Sequence, residues 1–215
     1  MQISYAIPVC NEHVELKNLL SFLVRHIDEN DEIVVQCDKG NTTPEVYQVL
    51  ELYKLGNAHR NEYSADIKII EFPLKGDFAS FKNNLKENCT KDWIFQIDAD
   101  ELPHESLITN LKELLKLNPT IEMFMVPRVN TVDGLTQEHI NKWRWNVNEN
   151  GWVNWPDYQT RIIQNSPKIK WQNKVHEQIV GISTKGALPM EEEWCLYHPK
   201  TIERQETQNN FYNTL

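Results

Sequence analysis

Residues 93–101 read Trp93-Ile94-Phe95-Gln96-Ile97-Asp98-Ala99-Asp100-Glu101. An apolar run of strand length ends on two carboxylates with one small residue between them. Side chains two apart on an extended backbone point the same way, so both acids can reach one cation. Ala99 adds no bulk between them. Magnesium and manganese take oxygen ligands and keep positions open for substrate phosphates, which suits such a pair. The plainer reading is a polar turn that caps a helix starting near Pro103.

Working outward, apolar strand-like runs alternate with helical patterns up to about residue 130. Gln2–Val9, Glu32–Cys37, Ile67–Phe72, Trp93–Ile97 and Met123–Pro127 read as strands. Between them, 12–27 carries apolar residues at Val14, Leu16, Leu19, Leu20, Leu23, Val24 and Ile27, a helical spacing. Residues 43–55, 77–88 and 103–117 also read as helices, the first opened by Thr43-Pro44. This alternation predicts an α/β fold with a mainly parallel central sheet flanked by helices. Ligands in such sheets bind beyond the carboxyl ends of the strands. Asp38, Asp77, Asp98 and Asp100 all fall there.

After residue 130 the pattern changes. Trp143, Trp145, Trp152 and Trp155 lie among Asn and Gly, and short strand-like pieces follow at 158–164, 169–171 and 175–180. These predict a small antiparallel portion folded against the open end of the sheet. Clustered aromatics more often form a local core, and at least two of the four tryptophans are expected there. The whole chain, 1–215, reads as a single domain with a half at 1–130 and a second portion at 131–215.

Composition narrows the partners. A hydrophobic share of 40% supports a buried core, and the net charge of −9 lacks the basic stripe that nucleic-acid binding requires. An acidic protein can still hold an anionic diphosphate through a bridging divalent cation. Cys10, Cys37, Cys89 and Cys195 are scattered without C-x-x-C spacing, which predicts reduced thiols. The start, Met1–Pro8, lacks a basic segment and cleavage site and reads as a first strand, with no signal peptide expected. No apolar run spans a bilayer. The expected location is cytoplasmic, with room for peripheral contact at the inner membrane face.

Four motifs in order then carry a resemblance. Ile7-Pro8-Val9-Cys10-Asn11-Glu12, Ile33–Thr43 with its Asp38, Phe78-Ala79-Ser80-Phe81-Lys82-Asn83 and Asp98-Ala99-Asp100 together resemble family-2 glycosyltransferases. Farther on, Asp157–Ile163, Lys174-Val175-His176-Glu177 and Leu196-Tyr197-His198 are similar to the lipopolysaccharide-core glucosyl- and heptosyl-type branch. The second turn departs from the pattern, with Cys37 where an aspartate is commoner.

The resemblance implies a GT-A fold, a nucleotide-sugar donor, a glycan, lipid-linked or other hydroxyl-bearing acceptor, and Mn2+ or Mg2+ as cofactor. Pro8, Asn11, Glu12, Asp38, Asp77, Lys82, Asp98, Ala99 and Asp100 would bind the nucleotide sugar. Asp98, Asp100 and His198 would hold the metal. Glu177 is the candidate general base of an inverting transfer, placed in a short apolar strand whose burial would raise its pKa, with Asp157 and Glu101 as the other acids to weigh. Trp152, Trp155, Arg161 and His176 fall on the acceptor side. A phosphatase using Asp-x-Asp wants that motif to open the fold, and a nucleotidyltransferase wants a Gly-rich first loop; neither is present. The remaining alternative is a non-catalytic glycan- or nucleotide-binding protein on the same fold.

Overall fold

The computed structural model describes residues 1–59 and 66–212. The first half runs β1 (Ile3–Val9), α1 (His13–His26), β2 (Glu32–Asp38), α2 (Pro44–His59), β3 (Asp66–Phe72), α3 (Phe78–Glu87) and β4 (Trp93–Gln96). A two-residue β5 (Leu102–Pro103), α4 (Glu105–Leu117), β6 (Met123–Val126), β7 (Arg128–Asp133) and α5 (Gln137–Trp143) follow. The rest comprises β8 (Gln159–Gln164), β9 (Lys170–Gln172), β10 (Gln178–Val180), β11 (Lys185–Ala187), β12 (Leu196–Thr201) and α6 (Ile202–Tyr212).

The central sheet has the order β11-β6-β8-β4-β1-β2-β3. Strands β4, β1, β2 and β3 are parallel, as the alternation with helices predicts. The alternating side chains of β1 show why both faces are covered: Ile3, Tyr5 and Ile7 enter one apolar cluster and Ala6 the other. Helix α1 packs on the first face through Leu16, Leu19, Leu20 and Leu23, and α4 through Leu107, Ile108, Leu111 and Leu115. Full burial of one such leucine contributes about 1.5–3 kcal/mol. Leu85 of α3 and Ile169, just before β9, cover the other face.

One expectation about the second portion is corrected. Strand β8 is not folded against the end of the sheet but lies inside it, antiparallel to both β4 and β6. Its central residues Arg161, Ile162 and Ile163 are all buried. The separate antiparallel pair is β9 with β10, and a further small sheet joins β5, β12 and β7. The four cysteines are free thiols, as expected, with Cys37, Cys89 and Cys195 buried. Among the described residues no helix is long and apolar enough to cross a membrane.

Candidate active site

A cleft of about 430 Å³ opens where β4 ends. Strands supply most of its lining: Gln159 and Arg161 on β8 with Asp157 before it, and His198 and Lys200 along β12, follow the two-residue period, while β7 adds Arg128 and the run Asn130, Thr131 and Val132. Asp98 and Asp100 form the floor, and Lys82 and Glu177 close one side.

The two aspartates do not follow the expected alternation. The strand stops at Gln96, and residues 98–101 turn, with the Glu101 amide donating to the Asp98 carbonyl at 2.9 Å. Asp98 therefore faces Arg161, whose Nη2 donates to its Oδ2 at 2.5 Å and to Glu101 Oε1 at 2.6 Å. Glu101 is only 1% exposed, and it also accepts from Arg128 Nη1 and from the Asp98 amide. Burial alone would raise the Asp98 carboxyl; Arg161 and Lys82 outweigh it and hold it below the usual range. Arg161 Nε is buried without a partner.

Asp100 faces the other way, toward β12. Its Oδ2 lies 3.3 Å from His198 Nε2 and 3.3 Å from Arg204 of α6. Because the Asp157 carboxylate only accepts, Asn130 must turn its amide N–H to it, at 2.9 Å, leaving Oδ1 for His198 Nδ1 at 2.7 Å. His198 Nδ1 is then the N–H, and in a neutral ring Nε2 is a lone pair aimed at Asp100. Two acceptors at that distance need a proton or a cation between them. Burial would raise the Asp100 carboxyl as well, but His198, Arg204 and Lys200 hold it well below the usual range.

The donor types of Asp98, Asp100 and His198 suit manganese or magnesium with positions left for phosphate oxygens. Among the described residues no three His, Cys, Asp or Glu side chains converge closely enough to enclose an ion. Asp100 and His198 are the pair already facing each other, while Asp98 is engaged by Arg161. A cation held by all three must draw Asp98 from that arginine.

Glu177 is paired with Lys82, whose ammonium also sits 4.4 Å from the centre of the Trp171 ring. The expected strand around it is shorter, since β10 begins at Gln178. Glu177 lies instead in the β9–β10 turn, where Asn173 and His176 adopt φ of 76° and 54°. Its side chain, 18% exposed, is fixed by the ion pair and not by burial in a strand. Asp157 has less freedom: Oδ2 accepts from Arg128 Nε and Nη2 and from Asn130, and Oδ1 accepts from Gln159.

The sequence profile described as glycosyl transferase family 2 matches residues 4–180. The chain belongs to that family. Among solved structures, S. aureus TarS 1–349 aligns over 93% of this chain and 60% of its own, at 12% identity and a TM-score of 0.62. The same protein in complex with UDP-GlcNAc aligns over 63% of this chain and 36% of its own, at 16% identity and a TM-score of 0.51. Full TarS aligns over 97% and 38%, at 12% identity and 0.60. These likenesses show a shared GT-A fold, and the chain spans at most 60% of the length of each. No curated protein sequence matches it.

Within this family-2 chain the residues singled out from sequence divide into two groups. Lys82, Asp98, Asp100, Asp157, Arg161, Glu177 and His198 share the cleft. Pro8, Asn11, Glu12, Asp38, Asp77, Ala99, Trp152, Trp155 and His176 are not among its lining. Asp77 caps α3 through Ser80, and Glu12 accepts from the Cys10 and Asn11 amides. Ala99 is buried beneath the turn and His176 is exposed. None of the four clustered tryptophans joins the core. They form two half-buried pairs, Trp143 tilted against Trp145 and Trp152 edge-on to Trp155. Sequence reasoning missed Arg128, Asn130 and Lys200. The signal was available for Lys200, which follows His198 at a spacing of two.

Proposed function

We propose that this chain is an inverting glycosyltransferase. It moves a sugar from a nucleotide-diphosphate donor, with UDP as the nucleotide to try first, to a hydroxyl of a glycan or lipid-linked acceptor. Residues 1–215 act as one catalytic unit, 1–130 holding the donor and 131–215 the acceptor. The observation that carries this reading is that Glu177, Asp100 and the cations Lys82, Arg128, Arg161 and Lys200 line a single cleft.

Asp98, Asp100 and His198 would hold a divalent cation. When bound, that ion supplies positive charge for the diphosphate. The chain's own residues do the rest. Arg161 and Lys82 lie beside Asp98 and can take up charge on the leaving diphosphate as the sugar–oxygen bond breaks. Glu177 accepts the proton of the acceptor hydroxyl as its oxygen attacks the anomeric carbon from the opposite face. One Glu177 oxygen pairs with Lys82, which leaves the other for the incoming proton. Asp157, with both oxygens engaged, serves better to orient Arg128 and Asn130 than to take a proton. Pro8, Asn11, Glu12 and Asp77 frame the nucleotide from the strand ends, and Asp38 contributes by shaping the loop after β2.

The motifs 174–177 and 196–198 support an envelope glycan of the lipopolysaccharide-core kind as acceptor, reached from the cytoplasmic side. UDP is chosen because TarS, which shares the fold, carries UDP-GlcNAc. UDP release from a panel of UDP-sugars with Mn2+ and a mixture of core oligosaccharides tests the proposal. Wild type should turn over, and Glu177→Gln should retain UDP binding but lose about 10²–10⁴ in rate. Tight UDP binding with no turnover on any combination would favour the non-catalytic alternative.

A further inference from the structure

The cleft is divided in a way the transfer reaction does not by itself require. Its inner half is charged, from Lys82 to Lys200. Its outer half is neutral, lined by Trp145, Asn154, Gln205, Gln208 and Asn209 with Val132 and Val153. Helix α6 supplies the amides at positions i, i+3 and i+4, so they share one face. Gln205, Gln208 and Asn209 are half-buried, whereas Glu203, Glu206 and Thr207 are exposed. A helix docked only for stability turns an apolar stripe inward. Over 203–209 this one turns amides inward beside Arg204, and amides gain from burial only when something hydrogen-bonds them.

Their remaining bonding capacity can be counted. Lys200 Nζ can only donate, and it donates to Gln208 Oε1 at 2.5 Å, which leaves the Gln208 amide N–H free to donate. Gln205 and Asn209 bond to each other at 2.9 Å. In either orientation of that pair, one carbonyl oxygen and three amide N–H groups are left over. Across the cleft, Trp145 follows Arg144, which ends α5 in the left-handed region at φ 55°. Trp143 packs against it with ring centres 4.7 Å apart. An aromatic face beside neutral donors and acceptors is the chemistry that holds a sugar ring: apolar C–H faces stack, and hydroxyls both give and take hydrogen bonds.

We propose that this outer half is the acceptor subsite, that it takes a neutral saccharide ring stacked on Trp145, and that Gln205, Gln208 and Asn209 read its hydroxyls. The assignment rests on the glycosyltransferase reading and adds the class of acceptor to it. Lys200 touches this face through Gln208, but the other residues named on it are neutral, which favours a neutral ring over an anionic ring or polyol phosphate.

Saturation-transfer NMR and tryptophan fluorescence, with lactose, maltose, cellobiose and glycerol 3-phosphate as probes, test it on the full chain with and without UDP and Mn2+. At least one disaccharide should bind and glycerol 3-phosphate should not. Trp145→Ala should weaken that binding roughly tenfold or more. Gln208→Glu keeps an oxygen for Lys200 but exchanges the free amide group for a charged, acceptor-only carboxylate oxygen; it should weaken binding similarly while α6 stays helical by circular dichroism. Both variants should keep the UDP-induced thermal shift of wild type. Saccharide binding unchanged in both variants, no disaccharide bound by wild type, or preference for glycerol 3-phosphate would overturn the proposal. So would a loss confined to intact nucleotide sugars, which would assign the face to the donor. Failure of wild type to bind UDP would instead sink the donor reading, with the saccharide arm still scored by itself.

Discussion

The turns after β2 and β4 both carry an aspartate at the carboxyl edge of the same parallel sheet, yet the two acids are held differently. Asp38, 5% exposed, accepts from the Leu74 amide at 2.8 Å and from Asn41 Nδ2 at 2.9 Å, so neutral donors of the protein engage both oxygens. Asp98 and Asp100 are met by cations and a histidine: Arg161 on one, His198 and Arg204 on the other. A carboxylate bound by backbone and amide groups shapes a loop. One balanced by exchangeable cations, and open to a cleft, can trade those partners for an ion and a diphosphate. An aspartate at a strand end is thus a place to look, and its partners decide what it does.

The largest expected effect lies under the β4 turn. Arg161→Met leaves Glu101, whose carboxylate is fully buried, with Arg128 as its remaining cation. Breaking a buried pair in this way costs about 3–5 kcal/mol, measured by denaturant unfolding. A loss below about 1 kcal/mol would mean that Arg161 serves the cleft alone. On the β2 side, Asp38→Ala strands the Leu74 amide and should cost about 1–3 kcal/mol. Abolished UDP binding at unchanged stability would break the contrast between the two turns. The smallest effect concerns the histidine. Asn130→Ala frees His198 Nδ1 and should weaken Mn2+ binding by about 10–100-fold in calorimetry, with thermal stability nearly held. Equal Mn2+ affinity in the variant would detach Asn130 from the metal-side network.

Much of this was legible in the chain, and the part that was not has a physical cause. The parallel half could be read because each strand is a short apolar run and each helix shows its leucine stripe, as in Leu16, Leu19, Leu20 and Leu23. The Asp98–Asp100 turn and His198 could be located from motifs, yet the turning of the two aspartates away from each other could not. It depends on Arg161, which reaches Asp98 only because β8 inserts antiparallel beside β4, a pairing 63 residues away along the chain, and on His198 and Arg204, which take Asp100. The tryptophan cluster misled because aromatic density looks the same in a core and on a cleft rim. The amide face of α6 gave no apolar period at all, since its inward residues are polar.

The central claim is that a divalent cation at Asp98, Asp100 and His198 links this chain to a nucleotide diphosphate. Thermal unfolding with UDP in Mn2+ and in EDTA tests it most directly. At about 100 times its dissociation constant UDP should stabilise wild type by roughly 2.7 kcal/mol with Mn2+. The gain should be much smaller in EDTA, and Asp100→Asn should erase the difference. Equal stabilisation by UDP in Mn2+ and in EDTA would contradict the claim and leave the diphosphate to the arginines and lysines of the cleft.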